Sequence, residues 1–379
     1  MEKRYIKYFI SGYLNMYYSD RSFAYNPTKG SFAQYRIQSV LRYLGLSETK
    51  RDLSWMAPML SLIEAIFGTI MVFFQAIVVI MKCCMQQRQT YQGRTFFACL
   101  IFASFRIKGL LDSVRPLKIS TLKIPFIRNN YHENEINILS VVTFADVLRS
   151  VVLSWITIWT LYSKYRKRDP LFRSYSSFAY YLVCCFVKRT DEKNCYLYYN
   201  TYDRWAFLMC NTDGSIFVQH GKLMDQLSFI KVGTPQMAYY LSEKQRNILE
   251  RILFKGTPQD VRYRKPMEFS CNDLLLDNGK KNVLLVCWNN NIEKEWKICS
   301  LLHKEYNLYL KPHPGDKDNP AYSNMAKKYQ SIIIPKSGYP KVDVVISYDS
   351  TLAEEYEDVN VKVIRYDLLV NLEEIKKLI

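Results

Sequence analysis

The sequence predicts an α/β protein with parallel sheets, and this pattern is clearest in the C-terminal third. From residue 281 onward, short apolar runs typical of buried strands alternate with amphipathic stretches typical of helices. The chain has 379 residues, whereas single cores stop growing at about 250 to 300 residues. We therefore expect two domains, and the alternation of strands and helices predicts a parallel sheet in the second.

The C-terminal elements can be assigned one by one from this alternation. Ligands of parallel α/β sheets bind at the carboxyl ends of the strands, so the polar residues that follow each strand are the candidate site. The predicted strands cover residues 282–288, 307–310, 331–334, 342–346 and 361–364, and the predicted helices cover 292–305, 319–329, 350–356 and 372–379.

The N-terminal part has a weaker pattern. Strands are predicted over 95–104, 194–200 and 215–218, and the long apolar segments between them are expected to be helices. Residues 1–235 are thus interpreted as a second α/β domain with extra helices. Residues 236–280 are expected to be a linker or hinge, because a helix over 242–254 is followed by Gly-Thr-Pro. The C-terminal domain then covers 281–379.

Composition restricts the partners. The net charge of +17 indicates an anionic partner, which could be nucleic acid, an anionic membrane face or a phosphorylated substrate. The aromatic and basic residues form no recognisable RNA-binding signature, so we expect no nucleic-acid partner. The ten cysteines include adjacent pairs such as Cys83-Cys84 but no zinc spacing, which predicts reduced, buried thiols. With no cleavable signal visible, a cytoplasmic location is expected.

Two apolar segments bear on a membrane association. Residues 65–81 approach the ~20 apolar residues of a spanning helix, although Gln75 lies inside the segment. Residues 138–161 contain Asp146 and Arg149, so a buried or interfacial helix is expected there. The basic cluster that follows at residues 164–168 is suited equally to an anionic leaflet and to a solvated loop.

A histidine stands directly after the strand predicted over 307–310, in Lys311-Pro312-His313-Pro314. The prolines restrict the backbone on both sides, and Lys311 adds a positive charge. From such a turn His313 can donate to a phosphate oxygen as charge develops on a departing nucleotide. The alternative is a rigid loop with an exposed histidine.

A hydroxyl-rich turn, from Ser347 to Thr351, leads into the helix predicted at 350. Ser350 and Thr351 are suited to the N-cap region, where free backbone N–H groups and the helix dipole attract phosphate. Glu354, one turn later, could accept a hydrogen bond from a ribose hydroxyl. A plain capping box formed by Thr351 and Glu354 would need no ligand.

In the N-terminal half, Gln219-His220-Gly221 places an imidazole at a strand end, and Gly221 permits a sharp turn. A hydrogen-bonded structural turn would explain the same tripeptide.

Together these clusters resemble the bacterial GT-B glycosyltransferases that build capsules, O-antigens and teichoic acids. That group includes polysialyltransferases, Kdo transferases and CDP-glycerol glycerophosphotransferases. The resemblance runs from about residue 218 to the C-terminus. It implies two Rossmann-like domains facing a central cleft, with an acceptor-side N-terminal domain and a C-terminal domain for the nucleotide sugar. Ser350-Thr351 stands where the polysialyltransferase pattern has consecutive serines, and no acidic motif for their base is present.

The resemblance also implies a mechanism without a metal, and the sequence has no convincing Asp-x-Asp after a strand. It implies a nucleotide-sugar donor, CMP- or CDP-linked, no cofactor, and a lipid-linked or polymeric glycan acceptor. The enzyme would be peripheral on the inner face of the plasma membrane. His220 is the first candidate for the general base and Asp203 the second. The cleft would include Gln219 and Gly221, and the donor would contact Lys311, His313, Pro314, Ser347, Ser350, Thr351 and Glu354.

Two other functions remain open from the sequence. One is a nucleotide-sugar epimerase of the same GT-B fold, which would bind the same class of donor without transferring a sugar. The other is an inactive, membrane-associated scaffold.

Overall fold

The structure is a computed structural model of the chain. It divides into two compact units, Met1–Arg264 and Lys265–Ile379. Both are mixed α/β units built on parallel sheets. The residues described are 2–24, 37, 53–86, 95–98, 119–127, 135–166, 176–190, 194–198, 203–212, 214–219, 223, 229–263, 268–288, 291–313, 319–348 and 350–379.

The first unit contains a seven-stranded sheet in the order β3-β2-β1-β4-β5-β6-β7. Every described pairing within it is parallel. Its strands are β1 (Thr95–Ala98), β2 (Ile119–Lys123), β3 (Ile136–Asn137), β4 (Asn194–Tyr198), β5 (Ile216–Val218), β6 (Met237–Tyr240) and β7 (Asp260–Tyr263). Its helices are α1 (Glu2–Ala24), α2 (Ala57–Met85), α3 (Phe144–Tyr165), α4 (Ser177–Thr190), α5 (Arg204–Met209) and α6 (Glu243–Ile252).

This sheet confirms the predicted strands at 95, 194 and 215 and adds four others. The linker predicted at 236–280 is wrong for its first part, because β6 and β7 are strands of the first sheet and α6 connects them. Met237 to Tyr239 pair with β5, and β7 pairs with β6 in turn. The helix predicted at 242–254 is confirmed as α6, whose first turn is capped by the Ser242 hydroxyl.

The core of the first unit lies around α4. Residues 177–187 are buried on all sides. Phe9 of α1 packs against Tyr180, with ring centroids 5.3 Å apart. A second close contact joins α1 to α5, since a Cβ on Gly12 would lie 2.1 Å from the backbone nitrogen of Arg204. A glycine at position 12 lets these two helices approach this closely.

The two apolar segments form α2 and α3. Helix α3 begins with a capping box between Thr143 and Asp146, and Arg189 of α4 donates from Nε to Asp146 Oδ2 at 2.6 Å. By length and composition both helices are apolar enough to cross a membrane, and 39% and 50% of their most apolar 18-residue stretches are buried. Residues 65–81 lie within α2. Helix α3, expected to be buried or interfacial, has one buried and one exposed face.

The second unit contains a five-stranded parallel sheet in the order β10-β9-β8-β11-β12. All the strands and helices predicted from residue 281 onward are present, with ends shifted by a few residues. The strands are β8 (Asn282–Cys287), β9 (Asn307–Pro312), β10 (Ile332–Ile333), β11 (Val344–Ser347) and β12 (Lys362–Arg365). The helices are α7 (Ile292–Leu302), α8 (Pro320–Tyr329), α9 (Thr351–Asp358) and α10 (Glu374–Leu378).

Both faces of this second sheet are covered. Residues of α7, α8 and α10 join one hydrophobic cluster with Val283 and Leu285 of β8. Residues of α9 join a separate cluster with Leu284 and Val286 of the same strand. Because successive β8 residues contact opposite clusters, the strand is apolar throughout, as expected for a parallel strand buried on both faces.

Candidate functional site at the carboxyl ends of the C-terminal strands

The order of the second sheet determines where a ligand would bind. Strand β8 lies at its centre, and the chain proceeds outward first through β9 and β10, then on the other side through β11 and β12. This is the doubly wound arrangement in which the order of strands reverses between two neighbours. In such sheets the ligand crevice opens outside the carboxyl ends of those neighbours, here β8 and β11.

Aromatic rings surround this point. Trp288 follows β8 and Tyr348 follows β11, with ring centroids 5.2 Å apart. Tyr366, after β12, lies 5.8 Å from Tyr348. Trp288 and Tyr348 are half-buried. Rings of this kind offer stacking surfaces to a nucleobase. The sequence prediction missed Trp288 and Tyr366, and an aromatic residue directly after a buried strand was the available signal.

A buried carboxylate supports these rings. Glu295, in the first turn of α7, is 0% exposed, and its Oε1 accepts hydrogen bonds from the Trp288 backbone N–H at 2.7 Å and from the Tyr366 hydroxyl at 3.2 Å. The N-terminal turn of a helix stabilises such a negative charge. Burial, and then the Glu295 charge, raise the pKa of Tyr366. The phenol thus stays protonated and donates to the carboxylate.

Ser347 is the last residue of β11 and lies beside the point where the strand order reverses. Its side chain is 0% exposed. Its Oγ has no hydrogen-bond partner among the described residues. A buried hydroxyl without a partner costs about 1 to 3 kcal/mol, and a ligand oxygen next to the strand end would remove that cost.

Helix α9 begins directly after this strand. The Ser350 hydroxyl accepts a hydrogen bond from the Leu352 N–H at 3.2 Å, so Ser350 is the N-cap and Thr351 the first helical residue. The alternative of a capping box between Thr351 and Glu354 is therefore wrong, because the cap lies one residue earlier. Glu354 lies instead near Arg365 of β12, with Oε1 3.8 Å from the guanidinium. Its ribose contact stays a prediction.

His313 lies at the same edge of the sheet. It is exposed and follows β9 directly, while Pro314 lies outside the described residues. Strand β9 and strand β11 flank β8 on either side. Since neighbouring strands lie about 4.8 Å apart, the ends of β9 and β11 are separated by roughly 10 Å. The topology therefore brings His313 and Ser350 to the same edge of the sheet.

Lys311 is placed differently from the expectation. It is buried, and its ammonium donates to the carbonyl oxygens of Pro335, Lys336 and Gly338 at 2.6, 3.0 and 2.6 Å. It also lies 4.7 Å from the centre of the Tyr339 ring. These contacts make Lys311 a buried cation that holds the loop after β10. A phosphate contact by Lys311 stays a prediction, and it would require these bonds to be exchanged.

The N-terminal candidates have structural partners. Gln219 is buried, donates from Nε2 to Gln245 Oε1 at 2.7 Å and accepts from the Leu241 N–H at 3.0 Å. Gln245 also accepts from the Leu223 N–H at 2.9 Å. The chain is thus anchored on both sides of His220 and Gly221, which lie outside the described residues. Their roles stay predictions.

Asp203 has a capping role. It is buried, and its Oδ1 accepts hydrogen bonds from the backbone N–H groups of Trp205 and Ala206 at 2.9 and 3.1 Å. These bonds satisfy two donors at the start of α5. The local structure therefore explains this residue without catalysis, and its role as a base stays a prediction.

No group of three or more His, Cys, Asp or Glu side chains suited to a metal ion occurs within the described ranges. The eight cysteines whose side chains the structure describes are free thiols. Burial raises the pKa of Cys299 to about 12. The Cys287 pKa is raised by burial and by the Glu295 charge. Neither thiol is a nucleophile at neutral pH.

Comparisons with known proteins give distant structural likenesses. No family model matches the sequence, and no curated protein sequence does. The chain is similar to the wall teichoic acid polymerase TagF in a structure of that protein with CDPG after a 30-minute soak, with 11% identity, a TM-score of 0.37, and coverage of 72% of this chain and 69% of that one. For the structure after a 15-minute soak, the identity is 8%, the TM-score is 0.38, and the likeness covers 84% of this chain and 80% of that one. At TM-scores this low, the likeness indicates neither a shared activity nor a shared ligand.

Proposed function

We propose that this protein is a glycosyltransferase that binds a nucleotide-activated donor at the carboxyl edge of its C-terminal sheet. One observation carries the proposal. The residues of two motifs that are far apart in the sequence, His313 and Ser350, reach the same edge on either side of the central strand. The buried Ser347 hydroxyl and the Trp288 and Tyr348 rings lie at that edge as well, and they supply a polar contact and a stacking surface for a nucleotide.

In the proposed reaction the bond between the sugar carbon and the donor phosphate oxygen breaks, and a bond forms from that carbon to an acceptor hydroxyl. The electron pair of the broken bond stays on the nucleotide. The N-terminus of α9 and His313 stabilise that negative charge, a role that a divalent cation has in other transferases. A general base accepts the acceptor's proton, with His220 as first candidate and Asp203 as second. The acceptor is a lipid-linked or polymeric surface glycan, and transfer of a polyol phosphate is the related possibility.

Donor binding can be tested with the full chain. Titration calorimetry with CMP, CDP, UDP and GDP would identify the base. Because the chain has six tryptophans, stacking on Trp288 would be reported by fluorescence quenching that Trp288→Phe removes. His313→Ala should weaken binding of the preferred nucleotide about tenfold or more, since charge-assisted hydrogen bonds contribute about 1.5 to 3 kcal/mol. His303→Ala is the matched control, because that histidine lies at the end of α7 and packs on Tyr329.

Turnover separates the remaining functions. Nucleotide release that depends on an acceptor supports the transferase. A changed donor sugar without release of nucleotide identifies an epimerase. If every donor is left unchanged and His313→Ala has no effect in the cell, the protein is a scaffold. Binding of none of the four nucleotides would refute the proposed site.

A further inference from the structure

The outer face of α2 carries large apolar side chains along its whole length. Eleven exposed large hydrophobic residues lie on α2 and five on α3, more than half of those on the described surface. Monomeric soluble proteins rarely expose a contiguous apolar patch of this kind. Typical members on α2 are Ile63, Ile66, Phe67, Ile70, Phe73 and Phe74, each 47% to 57% exposed.

The buried face of α2 has the opposite character. It carries mostly small residues together with two valines and two polar side chains, and its members are Ala57, Ser61, Glu64, Ala65, Gly68, Val72, Gln75, Ala76 and Val79. A helix of a soluble domain turns its large apolar residues inward and its polar residues to water. Helix α2 does the reverse. Small residues facing protein and large apolar residues facing outward are typical of helices packed in lipid.

Helix α3 also has an apolar outer face, while its buried face combines hydroxyl residues with large apolar residues such as Val147, Leu153 and Ile158. Its buried face includes Ser150, Ser154 and Thr157, whose hydroxyls donate to carbonyls one turn earlier at 2.8, 2.6 and 2.8 Å. These bonds satisfy the hydroxyls without water. The exposed large apolar residues of α3 recur about every fourth position and are Phe144, Leu148, Val152, Ile156 and Trp159.

The two helices form an antiparallel layer on one side of the first unit. Trp155 of α3 donates to the Thr69 carbonyl of α2 at 3.2 Å. Cys83, near the end of α2, lies 3.9 Å from the carbonyl oxygen of Leu139, just before α3. On its other side α3 packs against α4, which is buried. Each helix thus has folded protein on one face. A helix lying in the membrane plane has this arrangement, whereas spanning would carry α4 into hydrocarbon.

Basic residues lie at the ends of this layer. Lys82 is exposed near the end of α2, and Lys164 and Arg166 are exposed at the end of α3. Lys164 lines a shallow depression together with Trp159 and Ile156. A lysine beside a tryptophan at the edge of an apolar surface suits the boundary between acyl chains and headgroups. The net charge of the chain, +17, favours anionic headgroups.

We propose that the outer face of α2 and α3 is a monotopic membrane-binding surface, which lies in the plane of an anionic phospholipid bilayer and inserts its apolar side chains into one leaflet. This inference does not depend on the proposed transferase activity. It would place the protein on a membrane whatever reaction it catalyses.

Vesicle flotation tests this surface with the full chain. Vesicles of pure phosphatidylcholine are compared with vesicles that contain equal parts of phosphatidylglycerol and phosphatidylcholine. The triple variant Ile66→Gln, Ile70→Gln, Phe73→Gln should partition at least about a hundredfold less into the mixed vesicles, because three large apolar side chains no longer enter the leaflet. The matched control is Leu276→Gln, Leu368→Gln, Val370→Gln, which removes exposed apolar residues of the second unit and should partition unchanged.

The basic residues predict a different response. Lys82→Gln, Lys164→Gln, Arg166→Gln should reduce the preference for phosphatidylglycerol about tenfold or more and leave binding to pure phosphatidylcholine unchanged. Thermal unfolding of each variant in detergent verifies that the fold is retained.

Three results would overturn the inference. One is equal flotation of the folded α2 variant and the unaltered chain. Another is that the protein forms a dimer without lipid, that the α2 substitutions dissociate this dimer, and that the protein does not bind vesicles. A second copy of the chain would then cover the outer face of α2 and α3. The third is cleavage of the chain by protease added outside sealed vesicles and also by protease enclosed in them. The chain would then be exposed on both sides of the bilayer and would have to span it.

Discussion

Substituting Lys311 would show whether this residue stabilises the C-terminal unit or binds a ligand. Its ammonium donates to three carbonyl oxygens at 2.6 to 3.0 Å and is 5% exposed. Lys311→Met keeps the apolar stem but removes all three donors. Hydrogen bonds to a charged group contribute about 1.5 to 3 kcal/mol each, although the substitution also removes the cost of burying the charge. We expect a net loss of roughly 2 to 4 kcal/mol.

Thermal unfolding measures this loss. For a unit of this size, a loss of that magnitude lowers Tm by roughly 10 °C. CDP binding, measured below the transition, should be retained in Lys311→Met, because the lysine side chain is bound to the loop after β10. Lys311→Arg keeps the charge but not the compact ammonium, so its Tm should lie between that of the unaltered chain and that of Lys311→Met.

The opposite pattern would refute this reasoning. If Lys311→Met unfolds at the same temperature as the unaltered chain but loses CDP affinity tenfold or more, the ammonium serves a phosphate and the three carbonyl contacts contribute little.

Three further predictions concern the first unit. Burial would raise the pKa of Asp146, but hydrogen bonds from Arg189 and Thr143 lower it overall. The unaltered chain should therefore be more stable than Asp146→Asn by about 1 to 3 kcal/mol. This difference should be full above pH 3.8 and shrink as the pH falls further, as urea titrations at several pH values would show. Gly12→Ala should cost about 1 to 3 kcal/mol by urea titration, because its Cβ would meet the α5 backbone, whereas the loop substitution Gly256→Ala should cost less. Iodoacetamide at pH 8 should modify the exposed Cys84 and spare the buried thiols until the chain unfolds, since burial raises the pKa of Cys185 to about 11 and that of Cys210 to about 12, as mass spectrometry would show.

Each of these has an outcome that contradicts it. If the difference in unfolding free energy between the unaltered chain and Asp146→Asn stays constant down to pH 2, the hydrogen-bond partners of the Asp146 carboxylate do not stabilise its charge. Equal stability of Gly12→Ala and Gly256→Ala would mean that α1 does not approach α5 as closely as the structure has it. Rapid modification of Cys185 in the native state would mean that α4 is accessible to solvent.

The C-terminal strands could be predicted because each is buried on both faces and forms a continuous apolar run. Strands β2 and β7 of the first unit have mixed sequences, Ile-Ser-Thr-Leu-Lys and Asp-Val-Arg-Tyr, and no such run marks them. The error over the segment 236–280 has the same origin. Residues 237–263 contain turn signals that suggest a linker, but β6 pairs with a strand some twenty residues away. Such pairing depends on contacts that local propensity does not contain.

The candidate site was predicted in part. His313 and Ser350 were recognisable because proline and a helix-capping hydroxyl leave local signatures. Glu295 was not, since nothing in its own segment distinguishes a buried carboxylate from a solvated one on an amphipathic helix. Its role depends on Trp288 and on Tyr366, which lies 71 residues further along the chain.

The α/β class, the C-terminal elements and the identities of the strand-end residues follow from local patterns in the sequence, because periodicity, prolines and caps act over a few neighbouring positions. Three features required the folded chain: the strand order that brings His313 and Ser350 to one edge, the hydrogen bonds of Lys311 to the loop after β10, and the apolar outer faces of α2 and α3. Those features depend on which distant residues meet and on which side of each helix is covered. Burial and long-range hydrogen bonding decide both.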